Sequence, residues 1–546
     1  MTERVPDGDA GSSGRASADG RAGRDAGAGG RAGAPLEQAR PAGRSRFALG
    51  FSTLADEVVI DRLPVTGRLP DWLAGTLVRN GPALFDAGST SLRHWFDGQA
   101  MLHRFGFAGG EVSYANRYLD TPSYRSLRDK GRIGYAEFAT DPCSSIFSRF
   151  FTRFRRRVSA NTNVNVTRLG DRSLAVTETT LAVEFDPETL ATVGVVDYGR
   201  DLGQTTTAHP HQDPHTGELV NVALRFGRRS QYQVYRQRAG GAREVIGSVP
   251  VDRPGYVHSF AISTDHVALA VYPFVVNPLA LVLSGRPFIE NFRWKPELGT
   301  QIVLLDLRNG AIRGPYRTDP FFAFHHINAF QADGELVLDV CAYGDAGVVD
   351  ALYLDRLRAN FGVPQAVPTR YRIDLDGGGV RAQPLAGETL ELPRISYRRH
   401  NGREYGVAYG VGARDGAADD FLNQIVRVDV RTGETRTWHE PGCYPGEPVF
   451  VEAPGAVAED DGVVLSVVLD ASAGRSFLLV LEGRSFTELA RAQVPHRHPI
   501  PFGFHGQFSR TEAPRVTETT EPAPSAPDRS EDLGAAPGER GGEQEP

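Results

Sequence analysis

The feature that most constrains this chain is a hairpin grammar repeated from about residue 46 to residue 510. In "QIVRVDVRTGETRTWHE", Val426, Val428 and Val430 alternate with Arg427, Asp429 and Arg431. A period of two marks a strand with one buried face. "RTGE" then supplies the turn, with Gly433 free to take positive φ. "DPHTGELVNVA", "DPETLATVGVVDY" and "DLRNGAIRGPYR" repeat the pattern, and the more apolar "ELVLDVCAY", "DGVVLSVVLDA" and "SFLLVLEG" read as inner strands. Short strands with turn signals about every 8–12 residues make a sandwich, a barrel or a propeller. A run of roughly 460 residues is too long for a sandwich and suits a propeller of several four-stranded blades. The expectation is an all-β propeller forming a single catalytic domain over 46–510.

The ends do not share this grammar. Residues 1–45 are Gly, Ala, Arg, Asp and Ser, and residues 511–546 are Glu, Pro, Ala, Gly and Thr. Neither can bury enough apolar surface to offset its ordering entropy, so both are expected to be disordered tails. The net charge of −7 gives no electrostatic argument for nucleic acid. Cys143, Cys341 and Cys443 are too few and too scattered for a disulfide framework or a thiolate metal site. The N-terminus lacks the apolar core of a signal peptide, and no run is long enough to span a bilayer. The chain therefore reads as cytoplasmic.

Two segments break the strand pattern. Residues 142–158, "PCSSIFSRFFTRFRRRV", mix phenylalanines with arginines, and residues 271–294 are apolar but interrupted by prolines. Such composition fits a peripheral membrane contact, and fits equally a cap packed on the propeller.

Among the 14 histidines, four lie in apolar or turn settings far apart: His209 in "TTTAHPHQDP", His258 in "GYVHSFAIST", His325 in "FAFHHINAF" and His505 in "PFGFHGQF". Each alone is more simply a satisfied core residue. A metal site built from all four needs separate elements converging on a point, which a propeller axis provides. A ligating imidazole needs its other nitrogen hydrogen-bonded. Glu178, Glu391 and Glu447 stand in apolar contexts suited to that task. Eight others, among them His211, His266 and His326, read as surface or loop residues.

Taken together, these blocks resemble the carotenoid cleavage oxygenase family. "LAGTLVRNGPALFDAG" and "HWFDGQAMLHRF" are similar to its N-terminal signature, and "TAHPHQDPHTGEL", "YVHSFAIST", "FHHINAF" and "FGFHGQF" to its four histidine motifs. The resemblance runs in family order from about Leu73 to Phe508. "DPCSSIFSRFF" and "YPGEPVFV" resemble the animal branch of carotene oxygenases and retinoid isomerase, whereas the arginine-rich composition looks bacterial. Gln331 departs from the acidic residue that relatives often carry there.

The resemblance implies a seven-bladed β-propeller with an apolar helical and loop cap over an axial Fe(II). The iron would be held by His209, His258, His325 and His505, with Glu178, Glu391 and Glu447 behind them. His325 is selected over His326 because the family ligand directly follows the aromatic residue. Thr177 falls where relatives place a methyl beside one open iron position. Phe96, Tyr343 and Phe504 would line a substrate tunnel. The implied activity is a dioxygenase reaction across one double bond of a carotenoid, with O2 as co-substrate and two carbonyl products. The expected case is β-carotene cut at its central 15,15' bond to give retinal. Eccentric or apocarotenoid cleavage, stilbene cleavage, and a non-cleaving binding or isomerising protein are the alternatives. Lys130 reads as a surface residue, with anchoring of a stilbene phenol as its lesser reading, and Cys143 would be an acylation site in an animal protein or a buried thiol in a bacterial one.

Overall fold

The computed structural model describes residues 46–142, 159–198, 201–414, 420–495 and 497–510. Both expected tails, Cys143 and nearly all of 142–158 lie outside these residues.

Seven antiparallel sheets follow one another as the blades of a propeller. From axis to rim, blade one is Asn165–Leu169, Arg172–Val176, Leu181–Phe185 and Thr192–Asp197. Blade two opens on the short strands Thr205–Thr206 and His211–Gln212, then runs Leu219–Arg225, Ser230–Gln237 and Arg243–Val251. Blades three, four and five begin at Ala261–Ile262, His326–Ala332 and Glu391–Arg394. Blade six begins at Cys443–Pro445 and Val449–Glu452 and ends on Val65–Gly67, a strand from the other end of the chain. Blade seven begins at Gly506–Ser509, which pairs Gly75–Leu84 with Leu77 opposite Phe508. The ring is thus closed twice, each time by a strand distant in sequence from its neighbour.

Blade faces supply most of the apolar burial. Val220, Val222 and Val234 of blade two pack with Val267, Leu269 and Val303 of blade three in one dry cluster. Burying such side chains contributes about 1.5–3 kcal/mol each. Because each blade is sandwiched between two others, its strands are covered on both faces. This overrides the one-sided pattern expected for Gln424–Asp429. Arg427, read as solvent-facing, is buried, and its Nη2 donates to Asp460 Oδ2 at 2.6 Å. The turn after that strand is as expected, with Gly433 at φ 77°. The most apolar stretches form Glu335–Ala342, Gly462–Asp470 and Arg475–Glu482, which lie in the middle of their blades rather than at the axis. Most axial strands are shorter, and some, such as Glu391–Arg394, carry polar residues.

Residues 271–294 form an insertion between the second and third strands of blade three, apart from Val271, which ends a strand. Phe274–Val275 pairs with Arg293–Trp294, and helix α1, Pro278–Leu283, projects between them. Asn277 caps α1, its side-chain oxygen accepting from Leu279 N at 3.1 Å, and Pro278 occupies the first turn where no donor is required. Leu279, Val282 and Leu283 on α1 are 66%, 44% and 58% exposed. No helix among the described residues is long and apolar enough to cross a membrane.

Candidate metal centre

The four expected histidines each precede or interrupt the axial strand of a different blade. His325 immediately precedes His326–Ala332, His505 immediately precedes Gly506–Ser509, His258 lies before Ala261–Ile262, and His209 lies between the two short strands of blade two. Antiparallel order points these positions to one end of the ring. One nitrogen from each of the four falls within 4.8 Å of the others. His258, His325 and His505 are buried, and His209 is partly so.

The three expected glutamates stand behind three of the rings. Glu178 Oε1 lies 2.5 Å from His258 Nδ1, Glu391 Oε2 lies 2.5 Å from His325 Nδ1, and Glu447 Oε1 lies 2.7 Å from His505 Nδ1. A carboxylate at Nδ1 fixes the proton there and leaves Nε2 as a lone pair. Yet His325 Nε2 faces His505 Nε2 at 3.1 Å. Two buried lone pairs aimed at each other repel unless a cation lies between them. His209 Nε2 and His258 Nε2 also approach to 3.1 Å. Burial pushes the His505 imidazole down to about 4 despite Glu447, and burial with the neighbouring rings holds His209 well below its usual range. Neutral imidazoles converging in this way are the donor set of a metal site.

The glutamates are themselves held. Tyr256 OH donates to both oxygens of Glu178, at 2.8 and 2.9 Å. Tyr343 OH donates to Glu391 Oε1 at 3.0 Å, and Leu392 N to its other oxygen at 2.7 Å. Glu447 accepts from Gly506 N at 2.8 Å and pairs with Arg394 at 3.1 Å. Burial would raise the Glu447 carboxyl, but Arg394, His505 and Arg79 hold it down at about 2. Tyr343, expected only as a tunnel residue, both lines the cavity and fixes Glu391. Tyr256 and Arg394 were missed by sequence reasoning. Tyr256 stands two residues before His258 on an extended segment, so a period-two reading of "YVHSF" would have placed both on one side.

The centre opens into a cavity of about 800 Å³. Thr177 lines it next to Glu178, and Phe96 and Phe504 line it with their rings edge to face at 5.2 Å. Phe96 lies 6.1 Å from the His258 ring, centroid to centroid. Phe138, Phe324 and Leu281 of α1 extend the apolar wall. Lys130, at the C-terminal end of the helix Pro122–Lys130, is exposed and does not line it.

Three histidines expected at the surface are not there. His266 is buried, His211 Nε2 reaches Phe260 O at 3.0 Å, and His326 Nδ1 reaches Ser259 Oγ at 2.8 Å. A backbone carbonyl holds the His211 ring and a hydroxyl the His326 ring, partners that sequence spacing does not reveal.

The fold and site define a propeller protein with an axial four-histidine metal site beneath an apolar cavity. The family described as "Retinal pigment epithelial membrane protein" matches residues 51–510, and the chain belongs to this carotenoid oxygenase family. The "Carotenoid isomerooxygenase" of Galleria mellonella is 36% identical, over 81% of this chain and 92% of its own length. The human "Carotenoid-cleaving dioxygenase, mitochondrial" is 32% identical, over 81% of this chain and 87% of its own. The crystal structure of cobalt-substituted Synechocystis apocarotenoid oxygenase superposes with a TM-score of 0.77 at 27% identity, covering 85% of this chain and 98% of the other.

Proposed function

We propose that the protein is an Fe(II)-dependent dioxygenase that cleaves one conjugated double bond of a carotenoid, with the central 15,15' bond of β-carotene as its target and retinal as product. The observation that carries this reading is the facing pair of His325 and His505, each backed by a carboxylate, at the end of an apolar cavity. The names of the relatives support the reaction class.

His209, His258, His325 and His505 would hold the ion, and Glu178, Glu391 and Glu447 would orient three of those rings and balance its charge. A ferrous ion held there would supply the activation of dioxygen. The chain's own contribution is positioning. Phe96, Phe138, Phe324 and Phe504 exclude water and fit the flat face of a polyene, and Thr177 narrows the approach beside Glu178. How far the polyene slides between these rings would select the bond presented to the centre.

The substrate is barely soluble in water, so it must be drawn from a membrane. The exposed leucines and valine of α1, with Leu279 and Val282 also lining the cavity, suit a peripheral contact at its mouth. A second reading, cleavage of an oxygenated polyene such as an apocarotenoid, is favoured by a polar strip of Glu137, Ser159, Asn161 and Asn163 beside the phenylalanines Phe96 and Phe138.

Incubation of iron-loaded enzyme with β-carotene in detergent micelles, followed by chromatography and mass spectrometry, tests the proposal. Retinal as the sole product is expected. A longer apocarotenal moves the cut off centre, and unchanged β-carotene under aerobic conditions overturns the central-cleavage reading.

A further inference from the structure

Among the described residues, no cation pairs with the Glu137 carboxyl. Among the described residues its side chain contacts only neutral donors: Ser159 Oγ at 2.8 Å and Gln99 Nε2 at 3.2 Å on Oε1, and Asn161 Nδ2 at a long 3.5 Å on Oε2. It lines the cavity beside Phe96 and Phe138. Next to it stands Asp97, whose oxygens are fully engaged by His94 N, Ala139 N and Thr140 Oγ1 at 3.0, 2.8 and 2.6 Å.

Two carboxyls in one buried site do not both ionise, and the one with more donors keeps the charge. Asp97 has two backbone donors and a hydroxyl, so Glu137 holds the proton. Burial and the Asp97 charge together push the Glu137 carboxyl up to about 8. A protonated carboxyl must donate. Oε1 already accepts two hydrogen bonds, which leaves Oε2 as the hydroxyl oxygen. The Gln99 amide is not turned to receive it, because its Nε2 also faces the Asp97 carbonyl at 3.4 Å. Among the described residues, the side open to an acceptor is the cavity that Glu137 lines.

We propose that Glu137 is a specificity-determining residue whose neutral carboxyl donates a hydrogen bond to a carbonyl or hydroxyl oxygen on the bound polyene. The inference rests on the second reading above, an oxygenated polyene such as an apocarotenoid, and it places the oxygenated end of that substrate against Glu137. A site built to hydrogen-bond such an oxygen discriminates against the hydrocarbon lacking it, because the buried donor is then left unpaired. Asn161 supports the arrangement: its Nδ2 also binds the carbonyls of Asp97 and Gly98 at 3.1 and 3.0 Å, fixing the strip to the blade-seven loop.

The test compares wild type, E137Q, which keeps a donor, and E137L, which has none, on β-carotene and on a β-apocarotenal. E137L is expected to raise KM for the aldehyde about tenfold more than KM for β-carotene, with E137Q close to wild type. An equal change for both substrates in E137L marks a structural role and overturns the proposal. Binding is read separately by absorption, since a hydrogen bond to a conjugated carbonyl shifts its band to the red. The shift is expected in wild type and E137Q and absent in E137L. Its absence in wild type overturns the proposal even if E137L does not fold. Failure of wild type to cleave either polyene, with the shift intact, refutes the proposed reaction and leaves the Glu137 assignment standing.

Discussion

His325 Nε2 and His505 Nε2 stand 3.1 Å apart while Glu391 and Glu447 hold the opposite nitrogens of the same two rings. Each carboxylate commits its imidazole to the tautomer that presents a lone pair inward. The pair is stable only with a positive charge between the rings.

Removal of that charge therefore has a structural as well as a catalytic effect. Chelated protein is expected to melt below the iron-loaded form, and titration with Fe(II) should restore the higher Tm, because an ion that binds only the folded state stabilises it by mass action. H325A should lose both the ion, read by metal analysis, and this Tm response. A Tm indifferent to iron would refute the assignment.

Glu391 acts through His325, so its loss should weaken metal binding without abolishing it. E391Q is expected to lower Fe(II) affinity by about 10–100-fold in a competition titration. Y343F, which removes only the hydroxyl that donates to Glu391, should have a smaller effect in the same direction. If Y343F weakened binding more than E391Q did, the order of support would be wrong.

Glu137 gives a pH dependence with a definite sign. Its carboxyl is pushed up to about 8 in the folded protein by burial and by Asp97, whereas the unfolded chain releases that proton at the usual value of 4.5. The folded state thus binds more protons in between, and stability falls as pH rises from about 5 to 8. E137Q lacks this proton, so its Tm should gain on wild type across that interval, by thermal unfolding in matched buffers. Parallel curves would show that Glu137 ionises freely.

Leu283 on α1 is 58% exposed and does not line the cavity. L283E is expected to reduce sedimentation with phospholipid vesicles, through lost apolar burial and added repulsion from anionic lipid. Unchanged co-sedimentation would place the membrane contact elsewhere.

Much of the fold was legible because turn chemistry is local. Gly433 takes the positive φ that "RTGE" calls for, and Gly217 and Gly310 do the same in their hairpins. The site residues were legible because each sits in a short motif, but their convergence was not. His209 and His505 are nearly 300 positions apart in chain order, and only ring closure brings them together. What local pattern misjudged was burial. Arg427 reads as an exposed residue in alternation, and its inward placement depends on Asp460, which the next blade supplies. His326 reads as a loop histidine, and its partner Ser259 comes from blade three. Glu137 carried no motif at all, since its state is set by Asp97, Gln99 and Ser159 arriving from separate segments.

Ring closure has one more consequence. His505 immediately precedes Gly506–Ser509, the strand that seals blade seven against Gly75–Leu84. The last imidazole to leave the ribosome is thus carried by the clasp itself. During synthesis, three of the four histidines at most can gather before the circle shuts, so completion of the donor set and completion of the architecture form a single late event.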